Sequence, residues 1–511
     1  MDRAAALRLG RVSTLVDPGL LAMVAVLTAA VAVRMTVLSG GQIDYDEGVY
    51  WQSLRGLAAG RPLFSSVYSS QPPGFLVLMM PAHILGGGSI VGDRLGILAF
   101  WVVGLIGASR LGDLAGCRWA GLAAVMLLSA DPLFFRESVT LQADAPAVAL
   151  ALVAAGLAAD SRRRTGRPAL LLAAASGALI ATSVLTKLLT IPALPAVAIL
   201  LTAPAVSRGA LARSAGGALG AAAASAALLL PFAGRWPQIW GQVIGLNLHA
   251  RGLPVGGIDL YTMALEVPLA IVGIAGFLTA LRRAPLLAVS CASWALAAIA
   301  LLVVHRPLWP HHAVVLIAPL ALLGGAAVHL VHTRPERVRA AVMILMALML
   351  ASALLVHAQQ TPDTSRQRAV TALQRLTAPG DFVISDDQYT VALADRDVPP
   401  ELVDTSKVRV LSGDLITAEI AGIAGRSRAR VILVDDRYVS LSLLPGFQEW
   451  AKEQFPVVKP LGGGRVLHVK RSRRPTAQPP DSERAQRPAG PIERPDLSGR
   501  ARWTRAGRAR R

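Results

Sequence analysis

The sequence predicts an α-helical polytopic membrane protein of about eleven spans that ends in a small C-terminal α/β domain. Three observations carry this. Hydrophobic residues make up 53% of the 511 positions against 16% charged, and they gather into blocks long enough to cross a bilayer. Arginines cluster in short connections between the later blocks, at alternate connections. After His357 the long blocks stop, and short segments with strand and helix spacing follow.

Taken in order, the basic start with Arg3, Arg8 and Arg11 and the apolar run 20–33 have the outline of a signal peptide. No convincing small-residue cleavage site precedes Arg34, so the block 19–38 reads as an uncleaved first span. Further spans are expected at 94–111, 120–133, 145–159, 169–185, 188–205, 211–232, 261–281, 285–304, 312–331 and 338–356. The block 73–85 is too short to span, opens after a Pro-Pro pair and contains Pro81. It reads as an interfacial or re-entrant helix.

The positive-inside rule tests that choice. Connections holding Arg162, Arg163, Arg164 and Arg167, then Arg208 and Arg213, then Arg282 and Arg283, then Arg334, Arg337 and Arg339 should all be cytoplasmic. They alternate correctly among the later spans, and counting back from Arg162 through an inside loop at Arg118 leaves the segment 39–93 outside only if the block 73–85 does not cross. The odd count, begun from a cytoplasmic N-terminus, puts the segment 39–93 and everything after His357 outside the cell membrane.

The chain thus divides into a transmembrane part at 1–357, an extracytoplasmic α/β domain at 358–470 and a basic tail at 471–511. In the α/β domain, helices are expected at 366–376, near 415–424 and near 444–453, with strands at 382–385, 431–434 and 465–469. The tail is rich in proline, arginine and polar residues and is expected to be disordered. The net charge of +19 belongs largely to loop arginines and this tail, which suits a membrane surface and gives no reason to expect nucleic acid. Cys117 and Cys291 suggest neither a disulfide framework nor a cysteine metal site.

Several charged residues fall on the predicted outer face. Asp44, Asp46 and Glu47 follow the first span in IDYDEGVYW, where three carboxylates could coordinate a divalent cation or supply a general base. They could equally form a solvated loop whose carboxylates favour the start of the next helix. Arg136, Glu137 and Asp144 occupy a second outer segment, with Asp144 at the edge of an apolar run. A charge costs about 2.5 to 3.5 kcal/mol at a helix centre and less near the interface, so Asp144 calls for a partner or polar cavity, unless it only begins the helix ahead of Pro146.

Lys187 is the first lysine in an arginine-biased chain and lies between two apolar spans, where a compact cation suits a phosphate or simply snorkels to the interface. Asn247, His249 and Arg251, and then His305, Arg306, His311 and His312, are further outer-face candidates for anion or acceptor contacts. Adjacent His311 and His312 face different ways on a helix, so one at most is expected to function. Carboxylates and cations on one membrane face are what transfer from an anionic lipid carrier needs.

These residues resemble the type C glycosyltransferases, in the branch of protein O-mannosyltransferases and bacterial aminoarabinose lipid A transferases. The resemblance runs over 19–325 and rests on four motifs in order. They are the first-loop pair Asp46 and Glu47, the Pro-Pro segment SQPPGFLVL, Asp144 ahead of an apolar span, and Thr186 with Lys187 before a proline-containing span.

It implies a type C glycosyltransferase fold and an inverting hexosyl or pentosyl transferase that uses a polyprenyl-phosphate sugar and an envelope acceptor. Asp46 with Glu47 would be catalytic, with Asp46 as base or metal ligand. Asp144, Lys187, Arg251 and His311 would serve the donor phosphate. Asp44, Gln71, Glu137 and His249 remain acceptor-side candidates. A divalent cation (Mg, Mn or Zn), if used, would sit on Asp46 and Asp144. Ser70 and Gln71 stand where a Glu-Lys pair often precedes the proline segment in the aminoarabinose enzymes, which leaves the acceptor open. The competing expectation is a secondary transporter, which calls for inverted repeats and broken helices at the midplane.

Overall fold

The computed structural model describes residues 17–42, 44–203, 207–253, 255–258, 260–333 and 363–471. The expected span at 338–356, the basic N-terminal start and the tail from 472 lie outside the described residues.

Among the described residues, eight helices are long and apolar enough to cross a membrane, and three shorter apolar helices accompany them. The chain is a multi-pass membrane protein. Its helices are α1 (Pro18–Met35), α2 (Tyr45–Ala58), α3 (Gly74–Leu85), α4 (Ile90–Gly112), α5 (Arg118–Ala130), α6 (Pro132–Glu137) and α7 (Asp144–Ser161). They continue as α8 (Gly166–Thr186), α9 (Leu194–Thr202), α10 (Arg208–Leu229), α11 (Leu260–Arg283), α12 (Pro285–Val304) and α13 (Val314–Ala326).

Two expected spans prove shorter. The block at 120–133 breaks at Asp131, whose extended backbone and carboxylate cap the amide of Phe134 and start α6 at Pro132. The block at 188–205 opens as a 3₁₀ turn, Leu188–Ala193, because Pro192 and Pro195 remove two donors in its first turns. The block at 73–85 forms α3, a helix of 12 residues and therefore roughly 18 Å long, well short of the hydrocarbon thickness.

Small residues set the closest helix contacts. A Cβ added at Gly177 on α8 would fall 1.8 Å from the carbonyl of Gly217 on α10, so the two backbones touch directly. Arg34, fully buried at the end of α1, is held by the hydroxyl of Ser138 at 2.6 Å and the carbonyl of Ser129 at 3.1 Å, with its guanidinium 3.7 Å over the Trp101 ring. Those partners offset the cost of a charge in apolar surroundings.

The remainder, from Asp363, is α/β: α14 (Thr364–Leu376), β1 (Val383–Ser385), α15 (Gln388–Leu393), α16 (Thr417–Arg426), β2 (Val431–Asp435), α17 (Phe447–Gln454), β3 (Val457–Gly462) and β4 (Arg465–Val469). The sheet order is β1-β2-β4-β3, with β1 and β2 parallel and β4 antiparallel to both of its neighbours. Three strands were expected and the described residues hold four. The missed one, β3, is an edge strand carrying Lys459 and Pro460, which interrupt the apolar alternation a strand is read from. It returns into β4 through Gly462, Gly463 and Gly464, all at positive φ.

This domain packs on α2. Gly48 meets the backbone of Tyr389 so closely that a Cβ there would lie 2.5 Å from its amide nitrogen. Beside it the Gln52 side chain donates to the carbonyl of Arg396 at 3.0 Å and accepts from the amide of Val398 at 3.3 Å.

Candidate active site

The charged residues picked out in the sequence gather where α2, α7, α8 and α12 end toward the α/β domain. A cavity of about 550 Å³ opens there, walled on one side by helix ends and on the other by Asp404, Lys407, Arg437 and Tyr438 of the domain.

The start of α2 sorts three carboxylates by direction. Asp44 is the N-cap and accepts the amide of Asp46 at 3.3 Å. Asp46 lines the cavity, whereas Glu47, about 100° further round the helix, points into the protein. There the fully buried Glu47 takes the Arg94 guanidinium on both oxygens, at 2.7 and 2.8 Å, and the amide of Leu141 at 3.0 Å. The expected catalytic pair is thus geometrically split.

Asp44 and Asp46 are also split electrostatically. Burial alone would raise Asp44, but the imidazole of His311, 3.4 Å away, and the guanidinium of Arg136 hold it well below the usual carboxylate range. Burial and the neighbouring Asp44 charge instead push Asp46 up to about 7. One carboxylate stays ionised and the other is poised near neutrality, the separation that acid–base chemistry requires.

The second charged centre comes from antiparallel neighbours. Because α7 begins at Asp144 and α8 ends at Thr186, Lys187 lies beside the first turn of α7, and its ammonium donates to Asp144 at 2.9 Å. Lys187 faces the cavity, while Asp144 stands behind it. The other oxygen of Asp144 has no hydrogen-bond partner among the described residues. Arg251 and Gln71 line the same cavity. Glu137 lies behind its wall, pairing with Arg136 at 2.9 Å. His249 turns instead into a second cavity. Of the histidine pair, His311 meets Asp44, whereas His312 accepts the amide of Trp309 at 3.3 Å and caps its own turn.

For a divalent cation between Asp46 and Asp144 the site offers the cavity-facing Asp46 carboxylate and the one Asp144 oxygen that Lys187 does not take. Glu47 is given to Arg94 and Asp44 to His311, and among the described residues no three His, Cys, Asp or Glu side chains converge as ligands.

The α/β domain's contribution was not read from the sequence. Asp404 accepts from the Ser70 hydroxyl at 3.1 Å, and the Tyr438 hydroxyl donates to Gln42 at 2.8 Å. Lys407, one of the chain's few lysines, was the available signal, since the other lysine in this cavity, Lys187, was singled out on that ground.

No protein-family model matches the chain, and no curated protein is similar to it in sequence. Solved structures are similar to it in shape. ArnT from Cupriavidus metallidurans bound to undecaprenyl phosphate superposes with a TM-score of 0.63 at 14% identity, over 87% of this chain and 97% of that one. The archaeal oligosaccharyltransferase AglB from Archaeoglobus fulgidus, in complex with an inhibitory peptide and a dolichol-phosphate, gives 0.52 at 14% identity over 89% of this chain and 75% of that one. The arabinofuranosyltransferase AftD from Mycobacteria gives 0.52 at 16% identity over 87% of this chain and 41% of that one. The chain has the fold of the type C glycosyltransferases, as the resemblance implied.

Proposed function

We propose that the protein is an inverting glycosyltransferase that moves a sugar from a polyprenyl-phosphate donor to a hydroxyl of an extracytoplasmic acceptor. The observation that carries this is one cavity in which Asp46, raised to about 7, faces the same space as the Lys187 ammonium. Apolar residues Leu188, Ile191, Leu301 and Val304 continue the wall toward the membrane, and Ile191 and Val304 are exposed. They offer a lane for the prenyl chain, and the solved structures of like fold hold undecaprenyl phosphate in ArnT and a dolichol-phosphate in AglB.

In the proposed step the acceptor hydroxyl gives its proton to Asp46 as its oxygen attacks the anomeric carbon. The bond from that carbon to the phosphate oxygen breaks, and polyprenyl phosphate leaves with the electron pair. Lys187 and Arg251 meet the charge that grows on the leaving phosphate. A single displacement inverts the anomeric centre. Glu47 and Asp144 act through Arg94 and Lys187 and are positioning residues.

The test is turnover of radiolabelled polyprenyl-phosphate pentoses and hexoses with envelope fractions by the purified protein. Asp46→Asn is expected to lose about 10²- to 10⁴-fold in rate with an unchanged melting temperature. Transfer at the normal rate by that variant would remove Asp46 from the chemistry.

A further inference from the structure

A second cavity of about 410 Å³ lies beside the first, within the range of small-molecule pockets. Its walls are the turn carrying Phe64 to Tyr68, the helical stretch from Gln238 to His249, and the α/β domain. Leu246 lines both cavities, and the loop leaving Tyr68 enters the first one at Ser70 and Gln71. Gln242 ties the turn to the helical stretch: its side chain accepts the amide of Ser69 at 3.0 Å and donates to the carbonyl of Phe64 at 2.9 Å.

The two cavities differ in chemistry. Cations dominate the first, whereas the second presents three carboxylates, Glu401, Asp414 and Glu419, with hydroxyls and amides around them. Its one arginine is not free for an anion. Arg409 gives its fork to Asp414 at 2.8 Å and to the carbonyls of Glu401 and Asp404 at 2.7 and 2.8 Å, and lies 3.6 Å over the Tyr68 ring. The carboxylates are themselves partly engaged, Asp414 by the Tyr68 hydroxyl at 3.0 Å, Glu419 by Arg409 at 4.0 Å and Glu401 by Arg426 at 3.7 Å, so a ligand meets the acceptor oxygens they leave over, beside Phe64 and Tyr68. That suits a molecule with many O–H donors and no negative charge, and repels phosphates and carboxylates.

The turn itself is held in an uncommon shape. Phe64 sits at a φ of 67°, in the left-handed region that bulky residues rarely adopt, fixed by its amide bonding to Val67 at 2.8 Å and by Ser66 bonding to Pro62 at 3.0 Å.

We infer that this second cavity binds the acceptor, and that the acceptor is an uncharged glycan chain whose terminal hydroxyl passes Leu246 to reach Asp46. The inference rests on the glycosyl-transfer reading and names its acceptor class. Full-length protein in nanodiscs would be titrated with neutral arabino- and manno-oligosaccharides, with galacturonate oligomers and with undecaprenyl phosphate. The same titrations would use Ser65→Trp, which fills the cavity from an exposed position, and Glu419→Lys, which reverses a wall charge; melting curves check folding.

A neutral oligosaccharide is expected to bind, both variants to weaken it by about tenfold or more, and undecaprenyl phosphate to bind all three proteins alike. Neutral glycans that fail to bind, that bind both variants as well as the parent, or that bind less tightly than galacturonates would overturn the inference while leaving the carrier site standing. Undecaprenyl phosphate that fails to bind the parent protein would instead overturn the transfer reading on which the acceptor role depends.

Discussion

At the residue scale the most consequential contrast is between Asp44 and Asp46, two positions apart on one helix start. His311 and Arg136 keep the first ionised, and its charge, together with burial, lifts the second to about 7. A general base works deprotonated, so kcat/KM should rise with pH along an acid limb centred near 7 and fall away below it. Asp44→Asn removes the neighbouring charge and should move that limb to lower pH; a limb that stays in place in the pH–rate profile would contradict the coupling.

The Lys187–Asp144 pair makes a second residue-scale prediction. Breaking a buried ion pair from one side strands the other charge and costs about 3 to 5 kcal/mol, so Lys187→Met should melt early. Adding Asp144→Asn should restore much of the melting temperature but none of the turnover, because the charge for the phosphate is still missing. Asp46, Lys187 and His311 were legible from residue type and position alone. The ion pairings were not, because Asp144 to Lys187 and Glu47 to Arg94 are contacts across 43 and 47 residues, made only once the spans pack.

At the scale of elements, α2 is where the membrane part and the α/β domain meet. Its buried face carries Glu47 to Arg94, Gly48 to Tyr389 and Gln52 to the backbone near Arg396. Its other face carries Arg55 to Asp397 at 2.9 Å, each about one-fifth exposed, and to the largely exposed Asp395 at 3.0 Å. Magnitudes rank these contacts. The Arg55 pairs keep some contact with solvent and Arg61 stays 3.6 Å from Asp397, so Arg55→Ala strands no buried carboxylate and should cost about 1 kcal/mol or less. Gly48→Ala drives a methyl into backbone that cannot swing aside, an overpacking that costs about 1 to 3 kcal/mol and shifts Asp46 with the helix. Reduced turnover and faster proteolysis of the α/β domain should accompany it, and an Arg55→Ala defect larger than the Gly48→Ala defect would reverse the ranking. The sequence placed a helix start at the Asp44–Glu47 carboxylates but could not name what the helix packs on. The long apolar helices were the easiest elements to read and β3 the hardest, since an edge strand need not alternate.

At the scale of the whole molecule, every span that touches the site does so at the end away from the clustered arginines. Asp144 opens α7 and Arg162 follows its far end; Lys187 follows α8, whose start is preceded by Arg163 and Arg164; α12 runs from the Arg282–Arg283 end to His305 at the cavity. Arginine-rich connections stay on the cytoplasmic side because moving them across the membrane is opposed during insertion. The cavity and the α/β domain should therefore face outward. In a background with Cys117 and Cys291 replaced by alanine, Ser65→Cys lies on the exposed turn beside the second cavity and Arg164→Cys in the opposite connection. A membrane-impermeant maleimide added to intact cells should label the first at once and the second only after permeabilisation. The opposite order would place Asp46 on the cytoplasmic face, where a base raised to about 7 could still act but on a cytoplasmic acceptor. The labelling order thus decides which compartment supplies the glycan, independently of any assay of transfer.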